Sequence, residues 1–187
     1  CIKKYTGPKE GSVVIPSRLD GKEVTAIGDE VFAECGDLTG ITIPGSVTEI
    51  GSEAFMDCTG LINATLLEGT TQIRDNAFSG CTGLTRAVIP EGVTEIGENA
   101  FFNCTGLTSV VMPDGMTKIG NWAFSACEGL TSVTVPEGVT EIGENAFWHC
   151  TGLSGVSIPN SVTKIGSEAF SGCESLTSVT IPEGVTE

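Results

Sequence analysis

Leu130 to Gly152 reads LTSVTVPEGVTEIGENAFWHCTG. Its first six residues, Leu130 to Val135, alternate in character and are rich in Val and Thr, the pattern of a short strand with one buried face. Pro136 ends the strand, because proline has no N–H to give to a ladder. Glu137-Gly138 turns the chain, Val139 to Ile142 makes a second short extended piece, and Gly143 breaks it again. Glu144 to Cys150 has room for one helical or 3-10 turn, which sets Ala146, Phe147 and Cys150 inward. Thr151-Gly152 returns the chain toward the next leucine.

The same sentence is written along most of the chain. Cysteine stands at 35, 58, 81, 104, 127, 150 and 173, each step being 23 residues. Phenylalanine keeps that step from Phe32 to Phe170, leucine from Leu38 to Leu176, and isoleucine from Ile27 to Ile165. One unit cannot bury so many apolar side chains, but stacked units can, because each coil covers its neighbour and equivalent residues fall into columns. The expected fold is a right-handed repeat solenoid. It has one short parallel strand per coil on one face and short helical or 3-10 turns on the other, and is roughly 35–40 Å long at the strand spacing.

The motif Leu107-x-x-Val110-x-Met112-Pro113, followed by Ile119-Gly120-x-x-Ala123-Phe124-x-x-Cys127, resembles the BspA-type, or Treponema-type, leucine-rich repeat. The resemblance covers residues 12 to 187 and recurs at seven registers. Its departures from the pattern are few, among them Leu67 for the proline, Thr70 for the valine and Arg74 for the glycine. One domain, 1–187, is expected: a lead-in over 1–11, a first repeat over 12–38 with a loop five residues longer between Pro16 and Val24, then regular repeats over 39–187. The resemblance implies a secreted or cell-surface protein that binds a protein or glycan partner, a host surface included, and that is not an enzyme.

Composition sets limits of its own. With 24 acidic residues against 9 basic ones, the net charge of −15 repels phosphate backbones and anionic lipid heads, which argues against nucleic-acid partners. No apolar run is long enough to span a membrane. No signal-type segment opens the chain, so it is expected to be a piece of a longer or processed protein.

No cofactor or metal is expected. The cysteines lack the paired spacing of a zinc site and read as buried thiols. A disulfide between neighbouring coils is geometrically open, although seven in a row cannot all pair. Cys1, outside the column, fits either a lipidated mature terminus or a boundary within an N-terminal strand. His149 is the only histidine and has no repeating partner for catalysis. The acidic column Glu68, Glu91, Asp114, Glu137 and Glu183 reads as solvated turns, interrupted by Gly45 and Asn160. Glu95, Lys118, Glu141, Lys164 and Glu187 alternate in sign down one register, which opposes a slip by one coil.

Partner contacts are expected where the columns vary. On the strand face the candidates are Asn63, Arg86, Ser109, Val111, Ser132 and Thr134. On the opposite turn they are Phe102, Trp122 and Trp148, bulky residues at positions where other coils carry small or polar ones. The alternative reading is a structural spacer or self-assembling rod. For that reading, the last strand, Leu176 to Ile181, is expected to leave an apolar row open to head-to-tail association.

Overall fold

The alternating residues after each leucine do form strands, and they stack in parallel. In the computed structural model, which describes residues 1–5, 7 and 9–186, Gly11–Val14, Leu38–Ile43, Asn63–Leu66, Arg86–Val88 and Ser109–Val111 make one five-stranded sheet. Ser132–Thr134 and Gly155–Ser157 follow as a separate pair. Gly40 pairs with Asn63, Ser109 with Arg86, and Ser132 with Gly155, so the sequence period is the register between coils.

The second extended piece also becomes a sheet. Two-residue strands at Ala26–Ile27, Glu49–Ile50, Gln72–Ile73, Glu95–Ile96, Lys118–Ile119, Glu141–Ile142 and Lys164–Ile165 form an unbroken seven-stranded ladder. Each coil of the middle array therefore carries two strands rather than the expected one. Isoleucine takes the buried position of every pair, and Ile165 alone in the column is only half buried.

The expected helical turns are corrected. Ser52 to Asp57 is a run of turns, and no helix occurs among the described residues. The N–H groups of Ala54, Met56 and Cys58 donate three residues back, to Gly51, Glu53 and Phe55. Those of Glu53, Phe55 and Asp57 instead donate to the next coil, at Asp75, Ala77 and Ser79. Left-handed φ values of 57° at Glu53 and 56° at Asp57 produce this alternation. A helix would keep all these amides in its own ladder; here half of them cross-link coils.

Inside, the Leu, Ile, Phe and Cys columns fill one continuous core. Phe32 to Phe170 stack with ring centroids 5.1–5.4 Å apart and interplanar angles of 3–7°. That spacing is slightly wider than the ~4.8 Å typical of paired strands, as on the convex side of a curved stack. Thr70, standing where other coils have valine, is fully buried and donates to the Val47 carbonyl at 3.1 Å. Arg74, standing in the glycine column, forms an ion pair with Glu49 at 2.6 Å. The alternating column pairs as expected at Lys118–Glu141, 3.3 Å, and Lys164–Glu141, 3.9 Å; its member Glu187 lies outside the described residues. Such half-exposed pairs are worth about 0–1 kcal/mol each.

The first coil differs from the rest in two ways. Ile2 bridges to Ile27 and Tyr5 packs on Phe32 at 4.8 Å, so the lead-in extends two of the core columns. The long loop between Pro16 and Val24 folds as an antiparallel hairpin, Arg18–Leu19 with Lys22–Glu23. Asp20 and Gly21, with φ of 49° and 76°, form its tight turn, the conformation that Asp-Gly favours between strands. At the other end, the segment from Leu176 to Ile181, expected as a strand, forms none. It leaves Val179 and Ile181 exposed, and Phe170 and Leu176 are half buried.

Candidate functional site

The thiols are the first chemistry to place. Each cysteine from Cys58 to Cys173 donates its S–H to the carbonyl of the phenylalanine 26 residues earlier, at 3.0–3.2 Å. That carbonyl also accepts the N–H three residues ahead of it, as Phe55 does from Cys58. Burial pushes the Cys58 and Cys150 thiols up to about 12, and those of Cys81, Cys104 and Cys127 well above the ordinary range, because a thiolate would lose its water. Nucleophilic and metal chemistry both need the thiolate, so this column is structural. All eight cysteines are free.

The strand-face candidates come together in part. Asn63 lies opposite Arg86, and Arg86 opposite Ser109, so three of them are consecutive across the sheet. Val111 lies beside Val88, and the two are 45% and 44% exposed. Ser132 and Thr134 sit on the separate two-stranded sheet, next to Gly155 and Ser157. Asn63, Arg86, Ser132 and Thr134 are exposed and Ser109 is half buried. Gly40, with no Cβ, leaves a shallow depression bounded by Ser12, Ile62 and Asn63.

On the convex side, Phe102, Trp122 and Trp148 are half buried rather than fully exposed. Trp122 and Trp148 face each other at 6.1 Å with planes tilted by 55°. His149, the single histidine, is half buried and packs on Trp148 at 5.0 Å. Trp122 and His149 hold φ of 57° and 56°. A left-handed conformation costs a bulky residue about 1–2 kcal/mol. At the register of Trp122 the neighbouring coils carry Asn99 and Asn145, a residue type that tolerates it. Between Phe102 and Trp148, in the same column, Ser125 is fully buried and its hydroxyl has no partner.

The acidic column after the prolines, Glu68 to Glu183, is exposed throughout. No group of three His, Cys, Asp or Glu side chains that could hold a metal occurs among the described residues. Among them, too, no helix is long and apolar enough to cross a membrane.

This geometry has known counterparts. The model of the BspA type leucine rich repeat region matches in 6 copies, over residues 25–154 and 94–187. The chain belongs to the BspA-type leucine-rich repeat family. It is similar to the crystal structure of a Treponema pallidum leucine-rich repeat protein, at 36% identity and a TM-score of 0.88, over 92% of this chain and 80% of that one. A leucine-rich repeat protein from Bacteroides ovatus matches at 31% identity and a TM-score of 0.69, over 94% of this chain and 52% of its own. The pneumococcal vaccine antigen PcpA shares the fold, at 22% identity and a TM-score of 0.54, over 89% of this chain and 50% of that one. None of the curated proteins compared with the chain matches it. Leucine-rich repeat arrays of this kind are typically non-enzymatic scaffolds for binding proteins.

Proposed function

We propose that this BspA-type array is the partner-binding segment of a secreted or cell-surface protein and serves adhesion. The observation that carries this reading is the exposed Val88–Val111 pair beside Arg86, Asn63 and Ser109. Apolar side chains stand in register on an otherwise small-residue surface whose geometry the buried columns fix. Such a surface suits a protein or glycan laid across several coils, as on a host surface, with Ser132 and Thr134 extending the contact. Family membership supports it, since these arrays hold a constant core while their outward residues vary from coil to coil.

The test is an array of host-surface proteins and glycans probed with the intact chain and with the double variant Arg86→Glu, Val111→Asp. Retention of one or more partners by the parent chain, lost at least tenfold in the variant, is the expected result. A chain that retains nothing on the array, or a variant that binds as well as the parent, would overturn the strand-face assignment. Concentration-dependent light scattering by a chain that retains no partner would instead favour the self-assembling spacer.

A further inference from the structure

Charge is not spread evenly around each coil. The seven turn segments, 29–37, 52–60, 75–83, 98–106, 121–129, 144–152 and 167–175, hold half of the 24 acidic residues and none of the 9 basic ones. The convex face is therefore a continuous negative field, against which a cation experiences attraction from several coils at once.

Aromatic residues are concentrated on the same face. Apart from Tyr5 and the phenylalanine column, every Phe, Tyr and Trp in the chain is Phe102, Trp122 or Trp148, on three consecutive coils, with the His149 ring against Trp148. Folding does not call for them, because the equivalent positions elsewhere carry Asn99, Asn145, Ser79 or Ser171 and build the same turn. Trp122 takes the left-handed φ that the fold imposes on every coil at this register, where Glu30, Glu53, Asn76, Asn99, Asn145 and Glu168 adopt it with polar side chains. In the same column, between Phe102 and Trp148, Ser125 is small and fully buried. Around it, Glu98, Glu128, Glu144 and Glu168 are all exposed.

We propose that this convex patch binds a basic segment of a partner protein, with arginine side chains stacked on Trp122, Trp148 and Phe102. The inference rests on the reading of the chain as a protein-binding array and adds a second face with its own partner chemistry. A guanidinium is planar, weakly hydrated and cationic, so it gains from the ring faces by stacking and cation–π attraction and from the surrounding carboxylates by charge. A neutral sugar would use the rings alone and leave the acidic field without a role.

The two tryptophans are the only ones in the chain, so intrinsic fluorescence reads this patch directly. The intact chain is titrated with a nine-residue peptide alternating Arg and Ser, at low and at moderate salt. A saturable fluorescence change is expected, with affinity falling at least fivefold between the two salt concentrations. Trp122→Asn and Trp148→Ser each restore a residue type that neighbouring coils already carry. Each should keep the parent melting temperature and weaken peptide binding at least fivefold, as read by calorimetry. Glu23→Gln, on the distant hairpin, should leave binding unchanged.

The proposal is overturned by the absence of a saturable change, by equal binding of a Glu-Ser peptide or a neutral oligosaccharide, or by full affinity in both tryptophan variants. Loss on Arg86→Glu, Val111→Asp with retention in the tryptophan variants would move the site to the strand face. That outcome sinks this inference and spares the binding-array reading. Should a variant fail to fold, the salt dependence and the Glu-Ser control on the parent chain still decide.

Discussion

The turn side and the strand side of the solenoid obey the same 23-residue period and use it differently. On the turn side the coils from Cys58 to Cys150 repeat one set of contacts without a gap: stacked phenylalanines, a thiol on a carbonyl, and alternate amides crossing to the next coil. On the strand side the ladder is uneven. Asn63–Arg86 is the one pair joining its two strands, and the sheet breaks between Ser109–Val111 and Ser132–Thr134. At that break Thr131 N reaches Thr108 O only at 3.5 Å. Stability is thus concentrated where the residues are constant, and the uneven face is the one free to vary toward a partner.

Alkaline pH attacks the regular side most strongly. Burial raises the folded-state pKa of the thiols above their ordinary value near 9, so the unfolded chain loses protons first. The stabilisation is complete below about pH 9 and is lost as pH rises toward 12, where the folded Cys58 and Cys150 thiols themselves ionise. Each buried thiol that must ionise on unfolding removes stability progressively as pH rises above about 9. Five of them, Cys58 to Cys150, act together. Denaturant melts between pH 7 and 10.5 should show a steep fall, and a flat profile would mean that the thiols are not buried as neutral groups.

Phe78→Ala removes one ring from the middle of the stack and should cost about 3–5 kcal/mol in denaturant melts. A loss below about 1 kcal/mol would show that neighbouring rings close the gap, and that the turn side is less rigid than the stacking implies. Cys104→Ala deletes the S–H bond to Phe78 and a small volume, for an expected cost of about 1–3 kcal/mol. No measurable change would reduce the thiol to a filler. Val111→Ser, on the uneven side, should stay within about 0.5 kcal/mol of the parent. A larger loss would mean that the strand face holds the fold together rather than standing free.

Much of this was legible in the sequence. The four columns named the largest core residues, although their last members Ile165, Phe170 and Leu176 are only half buried, and the second extended piece at Val139 to Ile142 announced the narrow ladder. Asp20-Gly21 carried the signal for the hairpin, a tight-turn dipeptide inside a loop otherwise read only by its length. The expected helical turns failed because the residues of Glu144 to Cys150 satisfy a helical spacing equally well. What excludes the helix is competition from the next coil for every second amide, a term absent from the sequence of a single unit.

The period alone determined which residues are equivalent, and so the solenoid, its parallel register and its buried columns. Equivalence is a matter of spacing, which chain order preserves. Only the tertiary structure decided which non-equivalent residues meet. The amide of Phe55 finds Ala77, 22 residues on, and the thiol of Cys104 finds Phe78, 26 residues back. Trp122 meets Trp148 at the same offset of 26, three register positions apart on adjoining coils. Those offsets depend on how each turn is tilted by its left-handed residues, a property of the stacked backbone that the 23-residue repeat does not encode.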